Sequence, residues 1–196
     1  MSVRVEAWRA ALQGPPRSFA LDGEVFAITG QWSALLDRLR FEVWQQGLLY
    51  DLVDEGSADY LDDRLGDPRD MLTLRQMRRV AEGLVEAATG RRWWIAQKLI
   101  ATVADQWADL DGVLLLRGVD LAALAAEAPA RVCNVMHALL VEGRDRRERE
   151  VFEFKLRQPP AGVNVREIEV MSAEEQGTAF MAAMGSVRQG GPVSSP

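Results

Sequence analysis

Residues 74–107 read LRQMRRVAEGLVEAATGRRWWIAQKLIATVADQW, and this stretch decides the fold. Its first half repeats apolar residues at steps of three and four, which places them on one face of a helix. Gly90 then fits a helix C-cap. The second half is apolar over a wide arc, so we expect a central helix there. The apolar positions are Leu74, Met77, Ala81, Leu84 and Ala88, then Ala96, Leu99, Ile100, Val103, Ala104 and Trp107.

The region before this stretch predicts a β-hairpin followed by a helix. Asp22-Gly23-Glu24 separates two short apolar runs at 19–21 and 25–28, which is a hairpin signal because glycine accepts positive φ at little cost. A helix is predicted from Trp32 to about Leu52. Residues 54–66 are acidic and predict a loop with one helical turn or more at 60–65. The apolar face of the helix comprises Trp32, Leu35, Leu36, Leu39 and Val43.

The region after it predicts shorter helices. Residues 110–116 continue the central helix and are broken at Gly112, Asp120 caps a helix at 120–127, and Pro129 begins another. Residues 144–150 alternate in charge. Residues 151–156 fit either a strand or a helix, and we favour the helix. The buried face of the helix that begins at Pro129 is expected to comprise Val132, Val135, Met136, Leu139 and Leu140.

The predicted fold class is mainly α, with a single helical domain of five to seven helices, a short N-terminal β-hairpin and flexible termini. A flexible leader covers 1–18, the hairpin and helical core cover 19–157, and a tail rich in Pro, Gly and Ser covers 158–196. Within the tail, Ser172 and Glu175 have capping-box spacing, which predicts a short helix at 172–184.

Composition excludes several classes of function. The chain of 196 residues has a formal net charge of −6, which argues against nucleic acid or an anionic membrane as the main partner. No signal peptide and no membrane span are predicted, and a single cysteine needs no oxidising compartment. We therefore expect a cytoplasmic protein.

No residue pattern predicts catalysis, a metal or a cofactor. Cys133 and His137 share a helix face, but two ligands do not complete a zinc site, so we interpret both as structural. The arginines at 144, 146, 147 and 149 are expected to be neutralised by Asp145, Glu148 and Glu150. We interpret the acidic cluster as a solvated loop and not as a calcium or magnesium site. The cluster comprises Asp59, Asp62, Asp63, Asp67 and Asp70.

Aromatic residues are the more informative feature. Neighbouring side chains on a helix point about 100° apart, so we expect one of Trp93 and Trp94 to pack inside and the other to lie near the surface, unless another helix covers both. Exposed aromatic side chains are typical anchors for partners. The predicted partner-binding residues are Trp44, Trp93, Trp94 and Trp107, with Phe180, Met181 and Met184 in the tail.

Three segments resemble a known family. Gly90-Arg91-Arg92-Trp93-Trp94 and Leu116-Arg117-Gly118-Val119-Asp120, together with Pro159-Pro160-Ala161-Gly162, resemble the tail assembly chaperones of actinobacterial long-tailed phages and prophages. The similarity covers roughly residues 19–185.

The resemblance implies a function without catalysis. Such chaperones are encoded just before the tape-measure gene, coat the tape-measure protein while the tail tube polymerises, and are absent from the mature virion. A longer frameshifted product recruits tail tube subunits in many of them, and the codons for Gln189-Gly190-Gly191-Pro192 would show whether slippage is feasible here. A homo-oligomer is compatible with this function. The alternatives are a structural virion protein, in the capsid or in tail completion, and a small metal-dependent enzyme or regulator that uses the acidic loop.

Overall fold

A computed structural model describes residues 9–163. The leader at 1–8 and the tail from 164 onward, with the predicted helix at 172–184, lie outside the described residues. Residues 9–13 are helical, and that stretch ends at Gly14. The chain divides into two units, one ending at Arg157 and the other beginning at Gln158.

The fold class is confirmed, because the described chain is mainly helical with one short antiparallel hairpin near its N-terminus. The strands are β1 (Ser18–Leu21) and β2 (Glu24–Ala27). The helices are α1 (Ala34–Arg38), α2 (Gln45–Leu52), α3 (Glu55–Gly66), α4 (Leu74–Thr89), α5 (Trp93–Asp105), α6 (Trp107–Leu116), α7 (Leu121–Glu127), α8 (Pro129–Val141) and α9 (Arg146–Arg157).

The hairpin has the geometry that its sequence predicts. Asp22 and Gly23 both take positive φ, at 53° and 84°, and thereby close a two-residue turn. Phe19 is the register partner of Phe26, and their rings stack with centroids 5.3 Å apart. This pair buries the inner face of the hairpin, and β1 packs against α4.

The core is built around α4 and α5. Thr73 and Gln76 form a capping box at the start of α4, and Gly90 ends it with φ of 64°. Helix α4 packs against α2, α5 and α8, while α5 contacts α1, α4, α8 and α9. Leu99 and Val103 of α5 are fully buried, as a central helix requires. Leu74 is the exception on the predicted α4 face, since it is 60% exposed.

The predicted helix from Trp32 to Leu52 is wrong, because the chain turns between α1 and α2. Leu39 and Trp44 are both buried, although positions five apart on a helix point about 140° away from each other. Because the chain turns here, the side chains of Leu39 and Trp44 both reach the core. Val43, which is predicted to be buried, is instead 77% exposed. Arg38 forms a bidentate ion pair with Asp51 that joins the two short helices.

At 54–66 the predicted helical turn at 60–65 is present, but the predicted loop around it is wrong, because residues 55–66 form α3. The Asp54 carboxylate accepts hydrogen bonds from the backbone N–H and the hydroxyl of Ser57, and so caps the helix. Leu61 is the buried residue of α3. A helix that buries so little has no apolar periodicity to read from the sequence.

Two further boundaries are settled by the structure. The central helix breaks at Gln106, not at Gly112, and α6 then passes through Gly112 without interruption. Residues 151–156 lie within α9, which confirms the helical interpretation. Helices outnumber the predicted five to seven because two predicted helices are each broken in two and one predicted loop is helical.

Arg64 joins α3 to the segment before α4 and to the hairpin. Its guanidinium donates to Asp70 at 2.7 and 2.9 Å and to Asp22 at 2.6 Å. These bonds from Arg64, with a backbone bond from Leu72, lower the pKa of Asp70 from 3.8 to about 2.

The pKa of Asp70 predicts acid sensitivity. A carboxyl whose pKa is depressed in the folded state adds stability above its unfolded pKa, and that contribution is lost as the pH falls toward the folded value. We expect the free energy of unfolding to fall between about pH 4 and pH 2, and Asp70→Asn to flatten that slope. Urea denaturation across this pH range is the measurement, with Asp59→Asn on α3 as the control. An unchanged slope in Asp70→Asn would contradict the assignment.

Candidate partner-binding surface

Trp44 and Trp93 form an aromatic cluster inside the core. They are 1% and 7% exposed, and their ring centroids lie 5.9 Å apart. Trp93 and Trp94 in turn pack in a T-shaped arrangement, with ring centroids 5.7 Å apart and an interplanar angle of 87°. Such tilted and edge-on pairs are favourable packing arrangements within a core. A partner cannot reach Trp44 or Trp93 in this conformation.

Trp94 is also buried, and it anchors the end of α9. Its indole Nε1–H donates to the Arg157 carbonyl at 3.2 Å, and Lys98 Nζ donates to the Lys155 carbonyl at 2.9 Å. These donors satisfy carbonyl groups that the last turn of a helix leaves unpaired. With Trp94 only 4% exposed, the expectation that one member of the Trp93–Trp94 pair lies near the surface is wrong, and both are covered.

Trp107 occupies a different environment, because it is half-buried and lines an open cavity. The cavity has a volume of about 460 Å³ and lies among α1, α5, α6 and α7. Its apolar wall is made of small side chains and one leucine, and its rim is polar. The apolar members beside Trp107 are Leu36, Ala104, Ala122 and Ala126, and the polar ones are Gln31, Ser33, Asp37 and Arg40.

Helix α6 carries the exposed apolar surface that sequence reasoning did not single out. Its apolar residues lie on every side, an arrangement that normally belongs to a buried helix. Yet Leu114 is the residue of α6 that is buried, whereas Val113, Leu115 and Leu116 are 42%, 55% and 91% exposed. The signal in the sequence is the run Leu114-Leu115-Leu116, which lacks the polar positions that a solvent-facing helix usually has.

We define the α6 surface as the exposed side chains of Val113, Leu115 and Leu116, none of which lines the cavity of Trp107. Charged groups border the helix: Asp109 lies in its first turn, and Arg117 follows its last residue and pairs with Glu142 at 3.5 Å. Exposed apolar side chains bordered by charged groups are a usual arrangement of a protein-binding surface. Phe180, Met181 and Met184 lie outside the described residues, so their binding role stays a prediction.

The remaining candidate residues have structural environments. Cys133 is fully buried, and burial raises the pKa of its thiol to about 12, which leaves it protonated and unreactive. His137 Nε2 contacts Glu153. In the acidic cluster, Asp62 accepts from the Tyr50 hydroxyl and Asp70 from Arg64. Across residues 9–163, no group of three or more His, Cys, Asp or Glu side chains is arranged to hold a metal ion.

The described helices also lack the length and apolar character that a membrane span would need. Comparison with known protein families, with curated proteins and with solved structures finds no match to this chain.

Proposed function

We propose that this chain is a phage tail assembly chaperone that binds the tape-measure protein and keeps it soluble while the tail tube forms. The observation that carries the proposal is α6, a helix that is apolar all round yet buries only Leu114. The resemblance of residues 90–94 and 116–120 to such chaperones supports it. The protein would act in the cytoplasm of the bacterial host and be absent from the finished particle.

The α6 surface suits a helical partner. Helix α6 has ten residues, so it is about 15 Å long and faces about three turns of another helix. A tape-measure helix with apolar residues at i, i+3 and i+4 could lay them against Leu115 and Leu116. A contact of this size is small, which favours the reversible binding that an assembly factor requires.

The charge of the chain is consistent with this function. A formal net charge of −6 opposes the aggregation of a protein with an exposed apolar surface. Each bound copy of the chaperone would add its negative charge to the tape-measure protein. The chaperone would thereby supply solubility to a partner whose apolar stripes lack it. In a longer frameshifted product, an added domain would bring tail tube protein to the same complex.

Substitution of the α6 surface tests the proposal. The chain is co-expressed with the long helical protein encoded downstream, and the soluble complex is recovered through a tag on the chaperone. We expect Leu115→Asp/Leu116→Asp to reduce recovery at least tenfold, because two carboxylates would have to be desolvated in an apolar contact. The matched control is Val43→Asp/Met71→Asp, since those side chains are 77% and 79% exposed outside the α6 surface.

Both double variants should keep the thermal midpoint of the wild type, since all four side chains are exposed. Equal recovery from the two variants would remove α6 from the interface. Failure of the wild type to hold the downstream protein in solution would remove the chaperone function. Mass spectrometry of purified particles provides a second arm, because a chain present in stoichiometric amounts would be a structural virion protein.

A further inference from the structure

A second surface, distinct from α6, lies along α9. An open depression of about 750 Å³ lies along one face of this helix, and we call it the α9 cleft. Four arginines, two glutamates and one phenylalanine line it. These residues are Arg144, Arg146, Arg149, Arg157, Glu150, Glu153 and Phe154. In a chain with a formal net charge of −6, a surface with this excess of arginine is unusual.

The expectation that neighbouring carboxylates neutralise these arginines is only partly correct. Asp145 and Glu148 form a reciprocal cap at the start of α9. The Asp145 carboxylate accepts from the Glu148 backbone N–H at 2.8 Å, and the Glu148 carboxylate accepts from the Asp145 N–H at 3.1 Å. Neither carboxylate lines the cleft. The helix terminus therefore engages two of the three acidic groups that the sequence places among the arginines.

The two glutamates that do line the cleft already have partners. Glu150 accepts from Arg146 at 3.0 Å, while Glu153 contacts His137 and accepts from Arg157 at 3.3 Å. Both carboxylates are thus engaged by groups other than Arg144 and Arg149.

Arg144 and Arg149 have no carboxylate within ion-pair distance among residues 9–163. Arg144 lies over the ring of Phe152 at 4.7 Å, and Arg149 Nε donates to the Arg144 carbonyl at 2.9 Å. These contacts orient the two side chains. The other guanidinium N–H groups of Arg144 and Arg149 have no hydrogen-bond acceptor among residues 9–163. A guanidinium presents five donors in a planar fork that matches a carboxylate.

Phe154 adds an apolar element to the same cleft. It is 66% exposed, although a large aromatic ring normally gains free energy from burial. Its helix is also held in place, because Trp94 and Lys98 bind the carbonyl groups of its last turn. An aromatic ring on an anchored helix, beside two arginines that lack a carboxylate partner among residues 9–163, combines an apolar anchor with charged donors, the pair of features that dominates many protein interfaces.

We propose that the α9 cleft binds an acidic segment of a protein partner, with its carboxylates on Arg144 and Arg149 and an apolar side chain on Phe154. Glu150 and Glu153 would repel the continuous phosphate charge of a nucleic acid, whereas separated carboxylates of a peptide can avoid them. The α6 surface recognises apolar residues, so the two surfaces would select different segments. This inference does not depend on the tape-measure protein.

A labelled twelve-residue peptide with six glutamates and two phenylalanines is a direct probe, with binding to the full chain followed by fluorescence anisotropy. We expect saturable binding that weakens as salt rises and that falls about tenfold in Arg144→Gln/Arg149→Gln, through the loss of two charge-assisted contacts. The matched control is Arg79→Gln/Arg131→Gln, which removes the same charge from exposed positions outside the cleft and should bind like the wild type. Leu115→Asp/Leu116→Asp should also bind normally, which separates this proposal from the chaperone function.

Several outcomes would overturn the inference. They are equal loss in both arginine pairs, equal binding of a peptide with lysine in place of glutamate, and absence of binding to the wild type. Tighter binding of single-stranded DNA than of the peptide would make the cleft a nucleic-acid surface instead. Circular dichroism and the thermal midpoint of each variant show whether the fold is retained, and Phe154→Ser tests the apolar anchor without a change in charge.

Discussion

Gly30→Ala is expected to lower the free energy of unfolding by about 2–3 kcal/mol, because no space exists for a side chain at this position. A Cβ built on Gly30 would lie 1.9 Å from the Asp51 carbonyl oxygen and 3.0 Å from Leu52 Cα. Both neighbours are backbone atoms at the end of α2, so neither can rotate away. Gly30 and Thr29 also donate to the Leu52 carbonyl, at 3.1 and 2.9 Å, and these bonds would have to shift.

Gly83→Ala is the matched control for Gly30→Ala. Gly83 lies within α4, is exposed, and has nothing within 4 Å of an added Cβ. Alanine is favoured over glycine inside a helix by about 0.5–1 kcal/mol, so this variant should be slightly more stable than the wild type. Thermal unfolding followed by circular dichroism should show a fall of about 5–10 °C for Gly30→Ala. Similar midpoints for the two variants would contradict the close approach of the hairpin exit to α2.

Trp94→Ala is expected to have the largest effect, a loss of about 3–5 kcal/mol, because it removes a buried tryptophan from the contact of α5 with α9. It also leaves the Arg157 carbonyl without its donor. Trp94→Phe should lower the free energy of unfolding by less, because an aromatic ring remains in the core. Its cost includes the lost hydrogen bond, which is worth about 1 kcal/mol. Urea denaturation of both variants gives the free energies.

Trp107→Ala gives the comparison that separates core from surface tryptophans. Trp107 is half-buried beside an open cavity. Trp107→Ala should therefore lower the free energy of unfolding by less than Trp94→Ala does. If Trp94→Ala unfolded at the same urea concentration as the wild type, Trp94 would not be a core residue. Its earlier interpretation as a surface anchor for a partner would then stand.

The parts of the fold that the sequence predicts well have strong local signals. Helix α4 has a regular apolar face, a capping box at Thr73 and a glycine C-cap at Gly90, and it forms as predicted. The hairpin has an Asp-Gly turn between apolar runs, and α7 has the Asp120 cap. In each case periodicity and end signals agree, so tertiary contacts have little to alter.

The errors lie where tertiary packing overrides periodicity. A straight helix over residues 32–52 buries Val43, but the core accepts Leu39 and Trp44 instead, and the chain turns to bring both inside. Helix α3 buries so little that its Asp54 cap is the main signal for it. Which of these side chains is buried depends on the arrangement of the other helices, and a single stretch of sequence does not contain that information.

The candidate site is the least predictable part of the molecule. Tryptophan content suggested surplus aromatic surface, but Trp44, Trp93 and Trp94 are covered by their own fold. Three exposed apolar residues lie instead on α6, whose two aspartates and one glycine conceal its apolar character in the linear sequence. Burial depends on which helix lies next to which, so the identity of a residue does not determine whether a partner can reach it.

Hydrogen–deuterium exchange tests the central claim most directly, that α6 is the surface that binds an apolar helix of the tape-measure protein. Amide exchange in the chain is measured alone and in the co-purified complex. We predict slower exchange in residues 107–116 and 121–127 of the complex, with α4 unchanged, because the partner would cover α6 and its neighbour α7. Exchange in residues 107–116 that is identical with and without the bound partner would contradict the account.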